Sequence, residues 1–240
     1  MTGGEIQQAY VKYQSIRGYK DVNTYLAKLT PDFLLPGNHF YFGHYPQSAS
    51  GEDETPIEWQ VLAREDNHVL LISHYALDYR PYHNTDMEIT WEESTIRKWL
   101  NEVFIDKAFT EEEQQALLTT AVLNGKDQGG YLVFPDGGTE TSDRVFLLSG
   151  AEIKQYMDQS SDLKCTMTAY AKELDIAGTN TNCAWWLRSP GFNLKQASYI
   201  GKAGNRSTSN TSNVSSKMAI RPAIWIDLNA YMSLVKDSEE

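Results

Sequence analysis

The segment from Trp185 to Leu228 constrains the fold more than any other. It opens on WWLRSPG (185–191) and closes on AIRPAIWIDL (219–228). Between them runs FNLKQASYIGKAGNRSTSNTSNVSSK, rich in Asn, Ser and Thr, followed by Met218. The flanks are dense in Trp, Ile, Leu and Arg. The middle carries Lys195, Lys202, Arg206 and Lys217 and no Asp or Glu. Two apolar segments that bracket a long polar one build a displayed surface on a rigid support. They do not make a usual catalytic centre, because few groups there titrate near neutral pH.

Trp185 to Arg188 predicts a central strand, since both of its faces are large. In the closing segment Ile220, Ile224, Ile226 and Leu228 share one face, and Arg221, Ala223 and Trp225 the other. Pro222 has no N–H, so it marks a bulge or an unpaired ladder position. Earlier, HFYFGHYPQ (39–47), IEWQVLA (57–63) and HVLLISHYAL (68–77) read as strands. The last two are joined by a tight polar link, Arg64 to Asn67, that predicts a hairpin. DRVFLLS (143–149) reads as a further strand. Residues 119–142, with five glycines, read as loop.

Three Ser/Thr-x-x-Glu boxes mark helix starts, at Thr90–Glu93, Thr110–Glu113 and Ser149–Glu152. The first helix is expected to bury Ile96, Trp99, Leu100 and Val103, the second Ala116 and Leu117. A short helix is also consistent with Thr168 to Leu174. Residues 4–15 and 21–29 predict a helical pair, too small to fold alone and so docked on the rest. The tail after Asp227 is expected to be partly disordered. Strands and helices alternate without a βαβ period, which points to α+β. The expected domains are an N-terminal helical segment, 1–35, and a main domain, 36–230.

A chain of 240 residues with 41% hydrophobic and 22% charged residues suits a globular domain. Its net charge of −11 argues against nucleic-acid partners and anionic membranes. The two cysteines, Cys165 and Cys183, make neither a disulfide framework nor a zinc site by themselves. The first residues lack a signal-peptide pattern, and no apolar run is long enough to span a bilayer. The localisation expected is cytoplasmic, with surface or phage display through a larger assembly as the exception.

Among motifs that carry chemistry, the five histidines form no HxxH or HExxH, and there is no P-loop, GxGxxG or G-x-S-x-G. A metal site from His74, Asp78 and His83 is conceivable but not favoured, so neither metal nor cofactor is expected. No carboxylate pair is singled out by spacing. Cys183 next to Trp185 reads as packing rather than as a nucleophile. Arg188 and Arg221 sit inside apolar strands and need carboxylate or carbonyl partners. Asp143, Glu93 and Asp227 are the candidates.

FGHYPQ (42–47), PIEWQVL (56–62), TWEESTIRKWLN (90–101), RVFLLS (144–149), WWLRSPG (185–191) and AIRPAIWI (219–226) together resemble a bacterial family of uncharacterised domains with WWLRSPG and GVRPA signatures. Ala219 departs from that family's glycine. The resemblance spans roughly 38–228. It implies a C-type-lectin-like fold, related to formylglycine-generating enzymes and similar to the variable proteins of diversity-generating retroelements. In such proteins the C-terminal polar segment holds diversified positions that bind ligands, often proteins. Carried over by position, the ligand-binding face at 191–217 would use Phe192, Asn193, Lys195, Gln196, Ser198, Ile200, Lys202, Asn205, Ser207, Ser209, Asn210 and Ser212. Trp185, Trp186, Arg188, Arg221 and Trp225 would be scaffold.

The function expected is therefore non-enzymatic binding of an unknown protein or peptide through a polar face. The alternatives are a formylglycine-generating-type enzyme and a structural module of a larger surface or phage protein. The enzyme would need a reactive cysteine pair close in sequence, which Cys165 and Cys183 are not. A calcium-dependent lectin would need EPN or QPD and WND motifs, and none occurs. Asn, Ser and Tyr at the face favour adaptable contacts with a protein. Its lysines, on an acidic body, favour an acidic patch on the partner.

Overall fold

A computed structural model describes residues 33–129, 135–157, 163–175, 182–205 and 210–237. The predicted N-terminal helical pair lies outside them. The fold is mixed α+β, mostly strands with short helices. One five-stranded sheet has the order β1-β2-β3-β12-β7, built from His39–His44, Pro56–Glu65, His68–Ser73, Ala223–Asp227 and Val145–Phe146. The other has the order β10-β9-β8-β11-β4, built from Thr211–Asn213, Gln196–Ile200, Trp185–Pro190, Lys217–Ile220 and Asp78–Pro81. A short ribbon pairs β5 (Thr120–Val122) with β6 (Thr141–Asp143), inside a stretch that reads as loop from sequence.

The two sheets are joined by one antiparallel pair that runs through both. Strand β3 pairs with β12 in the first sheet, and their continuations β4 and β11 pair in the second. The register shifts where the pair crosses over. That crossing is Arg221-Pro222, between Ile220 and Ala223. Pro222 gives no ladder N–H, but its carbonyl accepts from Ser73 N at 2.9 Å. Arg221 Nε donates to Ser73 O at 2.7 Å, and its guanidinium lies 5.2 Å from the Trp185 ring. The expected irregularity at Pro222 is thus a change of sheet.

Strand β8 is buried at every position and lies in the middle of its sheet, as its two large faces require. Strand β2 alternates, with Ile57, Trp59 and Val61 inside and Glu58 and Gln60 half-buried. The hairpin link to β3 takes Asp66 to φ 52°, a left-handed position that aspartate tolerates.

The helices correct several expectations. No helix starts at Thr90. Ser94 caps α1 (Thr95–Trp99) by accepting from Arg97 N, and Trp91 is buried with its indole N–H on Asp143 Oδ2 at 2.9 Å. A π turn, Leu100–Phe104, follows before α2 (Ile105–Ala108). The wider turn moves Val103 out, to 53% exposure, and brings Phe104 into the core. The other two boxes are complete, opening α3 (Glu111–Gln114) and α4 (Gly150–Tyr156). Thr168 caps α5 (Ala169–Leu174). Directly after Asp227 the chain forms α6 (Leu228–Asp237), where a partly disordered tail was expected, and Tyr231 is buried edge-on to Phe40 and Phe42.

Candidate functional site

The polar segment is folded onto one edge of the second sheet. Strands β8 and β9 pair antiparallel, with Trp186 opposite Tyr199 and Pro190 opposite Ala197. Strand β10 adds outside β9, Thr211 opposite Ser198. The turn 191–195 is fixed by backbone bonds from Gly191 N to Gln196 O (2.7 Å) and Gln196 N to Asn193 O (3.0 Å). Asn193 Oδ1 also accepts from Lys195 N at 2.9 Å. Glycine is required at 191 because an added Cβ would lie 2.6 Å from Gln196 Cβ and 2.9 Å from Thr211 Cβ. The turn is tied to the body by Ile89 N to Leu194 O and Val214 N to Lys195 O, at 3.0 and 2.9 Å.

On this support Phe192, Asn193, Lys195, Lys202 and Asn205 are exposed, and Gln196, Asn210 and Ser212 are half-buried. Phe192 is 57% exposed, a large apolar ring among polar neighbours. Ser207 and Ser209 lie outside the described residues. Two expected face residues are not on the surface. Ser198 is 7% exposed and donates to Pro190 O at 2.7 Å, and Ile200 is 2% exposed in the core. Tyr199, absent from the expected set, is half-buried and lies edge-on to Trp186 at 6.4 Å. Its position between buried Ser198 and Ile200 in an alternating strand was the available signal.

Of the residues expected to be scaffold, Trp185, Trp186, Arg188 and Arg221 are buried and Trp225 is half-buried. Arg188 is buried and grips Glu152, with Nη2 to Oε1 at 2.8 Å and Nη1 to Oε2. It also donates to Leu147 O at 2.8 Å and to Leu123 O at 3.0 Å. Glu152 Oε2 meanwhile accepts from Ser149 N at 2.8 Å, so one carboxylate closes the capping box and neutralises the strand arginine. None of the three expected carboxylates meets Arg188. Asp143 is instead held by Arg97 at 2.7 Å.

Cys165 and Cys183 are free, buried and brought together. Cys183 N donates to Cys165 O at 2.8 Å, and Cys183 Sγ donates to the same carbonyl at 3.3 Å. The adjoining Cys165 side chain and burial push the Cys183 thiol up. Cysteines eighteen residues apart in sequence are thus neighbours in the fold.

The conceivable triad of His74, Asp78 and His83 is not assembled. Asp78 accepts from the Tyr45 hydroxyl at 2.8 Å and His83 Nδ1 accepts from Thr95 N at 3.3 Å. His74 meets His39 and Glu58 instead. Burial alone would raise the Glu58 carboxyl, but the His39 hydrogen bond and the His74 and His39 charges hold it below its ordinary value. Burial lowers His74, and the charges of His39 and Arg221 act in the same direction. Burial and the neighbouring Glu58 push the Tyr41 hydroxyl up to about 12.

The chain belongs to the family described as a domain of unknown function, DUF6273, whose model matches residues 66–228. The matched region begins in the β2–β3 turn and takes in β8 to β12 with the whole polar face. The motifs at 42–47 and 56–62 lie ahead of it. Comparison with curated proteins and with solved structures gives no match. No described helix is long and apolar enough to cross a membrane.

Proposed function

We propose that this chain is a non-enzymatic binding module. It presents the 191–217 surface to a protein or peptide partner on a scaffold of the C-type-lectin-like kind. On this reading 192–213 is a variable segment of the retroelement type, and its surface positions take the polar residues that such variation supplies. The observation that carries the reading is the contrast in burial. Strand β8 is buried throughout, while the turn and edge strand beside it expose Phe192, Asn193, Lys195, Lys202 and Asn205. Backbone bonds, not these side chains, make most of the fixed contacts of the turn. The surface is cationic and free of acid in a chain of net charge −11, so an acidic patch on the partner is favoured.

The test is to sequence the gene and its neighbourhood across isolates. The expected result is codon differences confined to 192–213, at positions where a nearby template repeat has adenine. An invariant segment with no reverse-transcriptase gene beside it would contradict diversification. It would leave a binding module of fixed specificity, to be sought by capture with wild-type protein against a Lys195→Glu, Lys202→Glu variant.

A further inference from the structure

We propose that His39, Glu58 and His74 form a binding site for a first-row divalent metal ion of the zinc class. His39 and Glu58 come from the adjacent strands β1 and β2, and His74 directly follows β3. Tyr41 lies opposite Glu58 and His39 opposite Gln60 in the β1–β2 register. Trp59 lies opposite Ser73, and His74 N donates to Glu58 O at 2.8 Å. Glu58 is thus cross-strand from His74 and diagonal to His39, a separation that long side chains span. All three project on the half-buried side of the sheet, away from Ile57, Trp59 and Val61.

The donor atoms converge. His39 Nδ1 is 2.5 Å from Glu58 Oε1, the two imidazole centroids are 4.7 Å apart, and one donor atom from each residue lies within 4.8 Å of the others. A tetrahedral zinc ion with bonds of about 2.0–2.1 Å needs donors roughly 3.3–3.5 Å apart. Binding would open the 2.5 Å His39–Glu58 separation to that spacing. Two neutral imidazoles and a carboxylate are a donor set that zinc, cobalt and nickel accept. Because each side chain keeps some exposure, a fourth position is open to water or to a donor from a partner.

The supporting shell is present. Tyr41 hydrogen-bonds Glu58, and Tyr75 packs edge-on to His74 at 4.5 Å. Such second contacts orient ligands. One divalent ion engages all three donors at once. His39 and Glu58 precede residue 66, so the site is not contained in the region that matches the family model. It shares no residue with the polar face and is independent of the binding-module reading.

The experiment is a titration of the metal-free, full-length protein with zinc chloride by calorimetry, repeated with cobalt(II) followed by visible absorption. One ion per chain is expected, with intense tetrahedral cobalt bands and a rise in Tm that grows with metal concentration. His39→Gln, Glu58→Gln and His74→Gln should each weaken binding by at least about 100-fold, since even outer contacts cost 10–100-fold. His68→Gln should leave it unchanged. Near-UV circular dichroism checks that each variant is folded. Where one is not, selective broadening of the His39 and His74 ring protons by cobalt in the wild type decides. Non-saturable binding, wild-type affinity in the three variants, or a cobalt–thiolate band that places the ion at Cys165 and Cys183 would overturn the proposal.

Discussion

Glu152 and Arg188 show how one side chain ties two levels of structure. The carboxylate closes the cap of α4 and pairs with an arginine buried in the central strand. Glu152→Ala removes both roles. Breaking a fully buried pair costs about 3–5 kcal/mol. Glu152 keeps 24% exposure and Arg188 retains carbonyl partners, so about 2–3 kcal/mol is expected in urea unfolding. Asp53 is a second residue with a readable role. It accepts from Gln47 N at 3.0 Å, Ser48 N at 2.8 Å, Ser48 Oγ at 2.5 Å and Thr55 Oγ1. The Ser48 and Thr55 hydroxyl bonds hold its carboxyl well below the usual carboxylate range. A depressed folded pKa gives stability that is present above the unfolded value, about 3.9, and is lost as pH falls towards the folded one. Asp53→Asn should therefore flatten the acid limb of the stability–pH curve and change its shape little above about pH 5.

At the scale of elements, the π turn and the 191–195 turn make separable claims. Because Leu100–Phe104 widens the helix, Val103→Lys is expected to shift stability by no more than about 0.5 kcal/mol. Phe104→Ala should cost about 3–5 kcal/mol. A regular α-helix through 95–108 would give Val103 the larger effect. At the turn, Gly191→Ala forces a Cβ against Gln196 and Thr211 and should cost about 1–3 kcal/mol. Both features show where sequence runs out. Alternation in β2 and the boxes at Thr110 and Ser149 were legible because each is a local pattern of two to seven residues. The extra residue in a π turn leaves no local pattern. Its register follows from Asn101, whose Oδ1 accepts from Arg144 and Val145 more than forty residues away. Likewise Thr90 has the residues of a cap, but burying Trp91 against Asp143 wins over starting a helix there.

For the whole molecule, the continuous β3–β4 and β11–β12 pair makes the two sheets one unit. It also sets Trp185, Arg221 and Pro222 at their junction. The sequence reads Pro222 as a bulge or unpaired ladder position and not as the crossing, because a proline at a bulge and one at a change of sheet look alike. The polar face was legible as a segment. Its individual positions were only partly so, since Ser198 and Ile200 turn inward in β9 and Tyr199 remains half-buried. The convergence of His39, Glu58 and His74 was hidden, because it depends on the register of β1, β2 and β3, with His74 directly after β3.

The central claim is that the face is carried by the scaffold without contributing to it. The most direct measurement is urea unfolding of a single variant with Phe192→Ser, Lys195→Thr and Lys202→Asn together. Exposed positions change stability by about 0.5 kcal/mol or less each, and separate sites add. The expected outcome is a midpoint and slope that correspond to a change within about 1.5 kcal/mol of the parent. A loss of several kcal/mol, or a chain that no longer unfolds cooperatively, would mean that these side chains hold the fold together and are not free to vary for a partner.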